Sequence, residues 1–533
     1  MSLVRSAQNP TADPWVSPER APTESGLRVV TWATAAWLVA TLIAILWHTN
    51  GRLTFTMDDP MIHFRLAEQI SHGTYGINPG EAASVSSSVI WPLLFVPFAR
   101  FGGVTWIAMG INMVATIVSF NLMYRVFVDV IGVSRAWRIV CVMLVLAVGV
   151  ALRVGDIAFT GLEHSLQLAL ILSVVVGLSR LMRGDESPWL WKVTMILPLI
   201  RFESILITVV VAAVAWTLGL KRRAGWLIAV PLVALALFSG FLMLVGLGPV
   251  PNSVAVKASD GGANSVSMLA AVTVRWMHLT TNETSRQLIV LVGLCAALVA
   301  VALRRRVAQR TEAVWMVGAV GVFLVALSSQ IGVARYLVAP SVFLVCSAVA
   351  LLPHMVERQN ATTLRRLMFG GLVVLIALAL PGSRWDKIGS DAAGIYNQQY
   401  QLHRFVVEYL REPVAVNDLG EVSFHNPFRV VDLWGIGDQD NLHARLSGDP
   451  DWVDHQLDRS GVEVAIVYSG WFPSPFGGDW KHVGRLRTLR KGGAAELTVD
   501  FYVATSEAED RVRSAMSHFV ASNPEQTLLT MDI

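Results

Sequence analysis

Long runs of apolar residues dominate the first 381 positions of the chain, and short polar segments separate them. A helix needs roughly 20 apolar residues to cross about 30 Å of hydrocarbon. About eleven runs approach this length, so the pattern predicts about eleven transmembrane helices. These runs start near residues 27, 104, 137, 164, 188, 203, 225, 286, 311, 337 and 365.

The segment Ser87–Phe101 is also apolar, but it is shorter than the other runs and contains Pro92 and Pro97. Broken segments are tolerated at membrane depth where protein covers their backbone. We therefore expect this segment not to cross the membrane.

Basic residues in the loops predict the orientation of the helices. They fall in every second loop, at Arg180 and Arg183, Lys221 to Arg223, Arg304 to Arg306, and Arg365 and Arg366. Loops rich in lysine and arginine remain in the cytoplasm. The outer loops are then 49–86, which contains Asp58 and Asp59, and 247–284. The assignment of each loop to one side of the membrane can be counted from either end of the chain. The two counts agree only if Ser87–Phe101 does not cross.

Residues 1–26 and 382–533 have a different composition from the region between them. The first segment is polar and rich in proline, and it predicts a disordered cytoplasmic terminus. The second has patterns of helices and short strands, which predict an extracytoplasmic α/β domain. The predicted helices are Asn397–Leu410 and Glu507–Val520, and the predicted strands are Pro413–Asn417, Arg429–Leu433, Val462–Tyr468 and Leu497–Val503.

The composition agrees with this fold class, a polytopic α-helical membrane protein with a C-terminal soluble α/β domain. Of the 533 residues, 54% are hydrophobic and 15% are charged, whereas soluble domains carry about 25% charged residues. The net charge of +3 is too small to indicate nucleic-acid binding. The cysteines Cys141, Cys295 and Cys346 lie in apolar runs, so the C-terminal region has neither disulfides nor thiolate metal sites.

Ionisable residues of both signs are predicted to collect at the outer face of the membrane. They are Asp58, Asp59, His63, Arg65, Arg153, Asp156, Glu163, His164, Arg201, Glu203, Lys257 and Arg335, the last beside Tyr336. Charge at this depth is costly, so such a cluster indicates a functional site.

Several of these residues also have a purely structural interpretation. Asp59 precedes Pro60 and fits a helix N-cap, which would leave Asp58 free. His63 lies four residues after Asp59 and could pair with it, bind a metal, or satisfy its hydrogen bonds locally.

Carboxylates beside fixed cations suit the transfer of a sugar from a lipid phosphate. The cations neutralise the departing phosphate, and a carboxylate deprotonates the acceptor hydroxyl. A transporter would instead have charges near the midplane and related halves, and the sequence has neither. Arg201, Lys257 and Arg335 are the predicted phosphate contacts; alternatively each reaches the membrane surface or pairs with Asp156, Glu163 or Glu203.

Six blocks of the sequence, in this order, resemble the C-type (GT-C) membrane glycosyltransferases, and in particular the mycobacterial terminal arabinofuranosyltransferases of the B type. The resemblance extends from residue 27 to about 440. The blocks are DDPMIHFRLAEQISHGTYGINPGE (58–81), TGLEHSL (160–166), IRFESIL (200–206), GPVPNSVAVK (248–257), ARYLVAP (334–340) and VNDLGEVSFHNPFRVVDLWGIGD (416–438).

The resemblance implies a polyprenyl-phosphate sugar donor, most closely an arabinofuranosyl donor, and a glycan acceptor outside the plasma membrane. Asp58 is then the expected base, with Asp59 and Glu163 as further catalytic candidates. The expected donor contacts are Arg201, Asn252, Lys257, Arg335 and Tyr336. Further candidates in the same blocks are His63, Arg65, His164 and Glu203.

The chain also departs from the family pattern. The segment AASVSSSVIWPLL stands where relatives have an aromatic-rich stretch that ends in Pro-Leu-Trp, which leaves the acceptor and the sugar open. The alternatives are a mannosyl or other hexosyl transferase with a glycan or protein acceptor, a lipid-linked glycan transporter, and a non-catalytic assembly subunit. A divalent cation is compatible with the sequence but not required by it. The NDLGEVSFHN segment lacks the glycine spacing of a nucleotide site.

Overall fold

The structure is a computed structural model of the chain. It describes residues 24–100, 102–131, 135–260, 310–329, 335–355, 385–472, 480–522 and 527–531, and the single positions 293 and 370. Of residues 257–260 only the backbone is described. The predicted helices near 286 and 365 and most of the outer loop 247–284 lie outside these ranges. The predicted disordered terminus also lies outside them as far as residue 23, and a helix begins at Glu24.

Within the described ranges, six helices are long and apolar enough to cross a membrane. They are Glu24–His48, Val104–Ile131, His164–Met182, Lys221–Leu244, Arg310–Ser329 and Arg335–Met355. Three shorter apolar helices are Arg135–Ala151, Pro188–Ile200 and Ile205–Thr217. Eight of the predicted starts therefore fall in these helices, and the start near 203 falls in the 3₁₀ turn Phe202–Ser204 directly before Ile205–Thr217. The chain is a helical membrane protein, while the total number of spans and their orientation remain predictions.

The segment Ser87–Phe101 forms two short helices, Ile90–Phe95 and the 3₁₀ turn Val96–Phe98. At 1.5 Å per residue, six helical residues extend about 9 Å, far less than the membrane thickness. The helices of this segment are therefore shorter than the membrane is thick, and the absence of a crossing here remains a prediction.

The helix Arg335–Met355 lies at the centre of the helical bundle. It packs against Arg310–Ser329, His164–Met182 and Val104–Ile131, and most of its residues are buried. Its first residues, Arg335 and Tyr336, therefore lie at the end of the bundle, where loops from several helices meet.

The C-terminal region is an α/β domain. Its strands are β1 Val414–Val416, β2 Val430–Asp432, β3 Val464–Val467, β4 Lys481–Thr488, β5 Thr498–Val503 and β6 Thr527–Met531. They form one sheet in the order β2-β1-β3-β5-β4-β6, in which β1 pairs in parallel with β2 and β3 and the other pairs are antiparallel. The helical segments are Trp385–Asn397, Gln399–Arg404, Phe405–Leu410, Gly420–Ser423, Gln439–Leu446, Trp452–Ser460 and Ser506–Val520.

The helix Asp59–Ser71 connects the bundle to this domain. Ile62 and Leu66 on one of its faces share a hydrophobic core with Val416 and Leu419 of the domain, while Phe64 packs with residues of the bundle. The following loop extends the contact, because Asn78 both donates to the carbonyl of Val430 (2.9 Å) and accepts from its amide (3.0 Å). The start of this helix therefore lies where the bundle and the α/β domain meet.

Candidate functional site

The adjacent carboxylates of Asp58 and Asp59 have different partners. Asp58 is the residue before the helix Asp59–Ser71, with Pro60 in the first turn, but its side chain makes no capping bond. The interpretation of Asp59 as the N-cap is wrong, because Asp59 is the first helical residue and its Oδ2 accepts a bond from Nη2 of Arg335 at 2.5 Å. The bond between this carboxylate and a guanidinium is charge-assisted, and such bonds are roughly twice as strong as those between neutral groups.

Asp58 is buried against the α/β domain. Its side chain is hydrogen-bonded to Asp418, in the loop after β1. Gly420 makes the close approach possible, because a β-carbon there would collide with the carbonyl and with Oδ2 of Asp58. Burial, and next the neighbouring Asp418 carboxylate, raise the pKa of Asp58 well above its ordinary value.

Arg201 lies between two carboxylates in the turn between two apolar helices. Its Nη1 donates to Oε1 of Glu163 and its Nε to Oε1 of Glu203, both at 2.5 Å. Arg201 and Glu163 are buried, whereas the side chain of Glu203 is 49% exposed. The pairing with Glu163 and Glu203 that the sequence left open is therefore present.

Tyr336 joins the parts of this cluster. The guanidinium carbons of Arg201 and Arg335 lie 5.0 Å and 4.9 Å from the centre of its ring. The ring of His164 meets it edge-on, with 5.4 Å between the ring centres. Tyr336 thus contacts its own neighbour Arg335 and residues from two other segments.

A glycine turn brings Glu163 to this place. Gly161 ends the 3₁₀ segment Asp156–Thr160 with a φ of 74°, in the left-handed region that glycine adopts without strain. It lies against Phe55 and Pro60, where a β-carbon would come within 2.8 Å of both side chains. The segment Asp156–Gly161 therefore packs directly on residues 55–60, immediately before Glu163.

A cleft of about 200 Å³ opens beside the cluster. Arg335 lines it together with Met57 and Thr160 and with the ion pair between Arg153 and Asp156, whose Nε and Oδ2 are 2.7 Å apart. Arg335 thus faces both Asp59 and an open space.

Two candidates from the first outer loop have structural partners. Nδ1 of His63 lies 3.1 Å from Oγ of Ser86, a local contact of the kind that was one of the three alternatives for this residue. Arg65 donates to the carbonyl of Ile77 at 2.7 Å and pairs with Glu68. Both residues hold the loop that contacts the α/β domain.

Asn252 and Lys257 lie on the helix Asn252–Asp260, near the start of the segment 247–284, which is predicted to be an outer loop. Asn252 is buried, and its Nδ2 has no hydrogen-bond partner among the described residues. The side chain of Lys257 lies outside the description. No group of three metal-ligating side chains is present in the described part of the chain.

Asp418 and Glu421 are site residues that the sequence did not predict. Glu421 is buried, and burial raises its pKa to about 7. Asp418 directly follows the buried parallel strand β1 and Asn417, and the carboxyl ends of parallel strands commonly carry functional side chains. That position at the end of β1 could have indicated Asp418 as a functional residue, but nothing in the sequence indicates that this loop contacts Asp58.

Comparison with known proteins gives the following similarities. A family model described as "Domain of unknown function (DUF8728)" matches residues 392–530, within the α/β domain. No curated protein matches the sequence. The chain is similar to the apo form of the oligosaccharyltransferase from Archaeoglobus fulgidus, with 12% identity and a TM-score of 0.47 over 91% of this chain and 75% of that one. It is also similar to ArnT from Cupriavidus metallidurans bound to undecaprenyl phosphate, with 12% identity and a TM-score of 0.46 over 90% of this chain and 99% of that one.

Proposed function

We propose that the protein is a membrane glycosyltransferase that moves a sugar from a polyprenyl-phosphate donor to a hydroxyl of an extracytoplasmic glycan. The observation that carries this proposal is the cluster around Tyr336, whose ring contacts Arg201, Arg335 and His164. The cluster combines guanidinium groups with carboxylates at the ends of apolar helices. A lipid anchored in the membrane would hold its phosphate at that level.

The two arginines are suited to hold the donor phosphate. Both are paired with carboxylates, but the side chains of Glu203 and Asp59 are 49% and 41% exposed. Each of these carboxylates is therefore partly open to solvent, so a phosphate can reach the arginine and take the place of the carboxylate. We expect the phosphate to displace Glu203 from Arg201 and Asp59 from Arg335, while the buried Glu163 stays on Arg201. Arginine's planar fork fits phosphate oxygens in pairs.

Other predicted donor contacts have lesser support. The buried Nδ2 of Asn252 has no partner within the described ranges and can donate to an oxygen of the sugar or the phosphate. Lys257, five positions further along the same helix, would add a third cation. Tyr336 would hold the two arginines in place.

Asp58 is the proposed base. The acceptor hydroxyl gives its proton to the Asp58 carboxylate as its oxygen bonds to the anomeric carbon of the donor sugar. The bond between that carbon and the phosphate oxygen breaks, and polyprenyl phosphate leaves with an additional negative charge. Positive side chains aimed at a developing charge are commonly the largest catalytic contribution, and Arg201 and Arg335 would supply them here.

The proposed sugar, acceptor and side of the membrane rest on the resemblance of the six sequence blocks to the terminal arabinofuranosyltransferases. It favours arabinofuranose as the sugar, a cell-envelope glycan as the acceptor, and a site on the outer side of the plasma membrane. A hexosyl donor such as mannosyl phosphopolyprenol is the alternative. A phosphatase reporter fused after Pro381 is active if the domain is exported and inactive if it is cytoplasmic.

The experiment that tests the function incubates the purified full chain with polyprenyl-phosphate arabinofuranose or mannose and an envelope glycan. Glycan extension and release of polyprenyl phosphate are measured by mass spectrometry. We expect both products, with the arabinofuranosyl donor preferred. Movement of either donor across a vesicle membrane without cleavage would contradict the proposal and indicate a transporter.

A further inference from the structure

The α/β domain contributes a carboxyl group to the site. Asp418 is partly buried in the loop after β1 and is hydrogen-bonded to Asp58. It also accepts a bond from Nε2 of Gln399 at 2.5 Å. The same Nε2 lies 2.5 Å from the hydroxyl of Tyr468, which donates to Oε1 of Gln398 at 2.6 Å. A chain of polar groups within the domain thus holds Asp418 against Asp58.

Two carboxyl groups this close cannot both be ionised at low cost, because like charges in a buried place repel strongly. The hydrogen bond between them requires one proton. Asp58 is the more deeply buried of the two, and burial disfavours its charged form, so Asp58 holds that proton in the resting state. A base that holds a proton cannot accept another. Some group must therefore take the proton from Asp58 before it can act on an acceptor hydroxyl.

We propose that Asp418 is a positioning residue of the transfer site, which fixes the carboxyl of Asp58 and takes up its proton when an acceptor binds. This inference rests on the proposed function. The proton moves along the existing hydrogen bond, and Asp58 becomes a carboxylate. Asp58 then takes the acceptor proton while the glycosidic bond forms and the bond to phosphate breaks. The pair now holds two protons, and loss of one to solvent restores the resting state.

The other charged groups near the pair are consistent with this role. Asp59 and Glu421 both add negative charge near Asp58 and raise its pKa. Arg52 acts in the opposite sense on Glu421, and Arg335 is paired with Asp59. Asp418 is the member of this group that is hydrogen-bonded to Asp58, so it is the one placed to exchange a proton with it.

The test compares the full-length wild type with Asp418→Asn. Asparagine keeps the shape and can still bond to Asp58, but it cannot take up a proton. We expect kcat to fall at least about tenfold, because an Asp58 carboxylate beside a neutral neighbour is a weaker base; this loss is less than the ~10²–10⁴-fold expected for loss of the base itself. Binding of a non-cleavable donor analogue should be unchanged. The acid limb of the pH–rate profile should move to lower pH, because a neutral neighbour no longer raises the pKa of Asp58. An unchanged kcat and profile would overturn the proposal.

Asp432→Asn is the matched control. Asp432 is buried in the same domain and accepts bonds from the amides of Trp434 and Gly437. Its loss should reduce the stability of the domain without moving the pH–rate profile. If Asp418→Asn and Asp432→Asn have the same pH–rate profile, Asp418 has only a structural role, whether or not that profile differs from the wild type.

A second measurement does not depend on activity. The infrared carboxyl band that disappears in Asp58→Asn reports the proton on Asp58. In Asp418→Asn this band should titrate at lower pH than in the wild type, and an unchanged midpoint would contradict the pairing. If the wild type releases no polyprenyl phosphate but the band shifts, the proposed function fails while the carboxyl pair stands.

Discussion

Arg335 and Asp59 form an ion pair between the first residues of two helices, with Nη2 and Oδ2 2.5 Å apart. The pair joins the central helix Arg335–Met355 to the helix that contacts the α/β domain. Because of this pair, the neighbouring acids Asp58 and Asp59 have different roles. Asp59 neutralises an arginine, whereas Asp58 turns to Asp418, and so Asp58 is the residue suited to proton transfer.

Arg335→Ala should weaken binding of a donor analogue and lower turnover, because one of the two guanidinium groups near the phosphate is lost. Hydrogen bonds to charged groups contribute about 1.5–3 kcal/mol, which corresponds to roughly 10- to 150-fold in Kd. Arg335→Lys should recover part of the binding, since the charge remains but the fork is lost.

Arg183→Ala is the control for this prediction. Arg183 pairs with Asp129 and follows the helix His164–Met182 at the end opposite to His164, about 28 Å away by helix rise. Its removal should leave donor binding unchanged. Equal binding by wild type and Arg335→Ala would place the phosphate elsewhere.

Arg201→Ala should destabilise the protein as well as inactivate it. Glu163 is fully buried and would lose its partner, and breaking one side of a buried pair costs about 3–5 kcal/mol. The double variant Glu163→Gln/Arg201→Met should recover much of the stability but none of the activity. Thermal unfolding in detergent measures the first effect, and donor cleavage the second. A stable Arg201→Ala protein would show that water or lipid compensates Glu163.

Gly420→Ala should disturb Asp58 directly, because the added methyl group collides with its carbonyl and Oδ2. We expect a loss of turnover of at least about tenfold, since small displacements of a reacting group are costly. Gly470→Ala is the control in the same domain, where the new carbon meets only the carboxylate of Glu496 at 3.0 Å, a flexible group. Activity of Gly420→Ala equal to that of Gly470→Ala would mean that Asp58 does not need this close approach.

Glu421 should make the stability depend on pH. Its folded-state pKa of about 7 exceeds the ordinary 4.5 because it is buried. The folded state therefore binds more protons, and stability falls as pH rises between these two values. Glu421→Gln removes this loss. The free energy of unfolding of the variant, relative to that of the wild type, should therefore rise by roughly 3 kcal/mol between pH 4 and pH 8.

The exposed Glu408→Gln, which breaks only a pair with Arg404, should follow the wild type across this pH range. Parallel melting curves of wild type and Glu421→Gln across the range would exclude an ionising Glu421.

The sequence predicted much of the fold because local patterns determine it. The buried strands β1 and β3 are almost wholly apolar, and the closing helix Ser506–Val520 has a clear apolar face. Strand β4 was missed because KHVGRLRT mixes basic residues with buried ones. The short helices Gln439–Leu446 and Trp452–Ser460 and the edge strand β6 gave too few apolar positions to be recognised.

The candidate site was predictable as a set of residues but not as a set of contacts. The predicted orientation of the loops placed Glu163, Arg201 and Arg335 on one face, yet their pairing partners depend on side-chain packing. The contact between Asp58 and Asp418 depends on how the domain docks on the helix Asp59–Ser71. Docking of this kind joins distant segments through surfaces that no local pattern encodes.

The most direct test of the account measures polyprenyl-phosphate release by Asp58→Asn beside binding of a donor analogue. Asparagine keeps the shape of the side chain but cannot take the acceptor proton, so release should fall by ~10²–10⁴-fold. Binding of the analogue should equal that of the wild type, because the arginines are untouched. Near-normal release by this variant would contradict the account, and Asp59 or Glu163 would then be the candidate base.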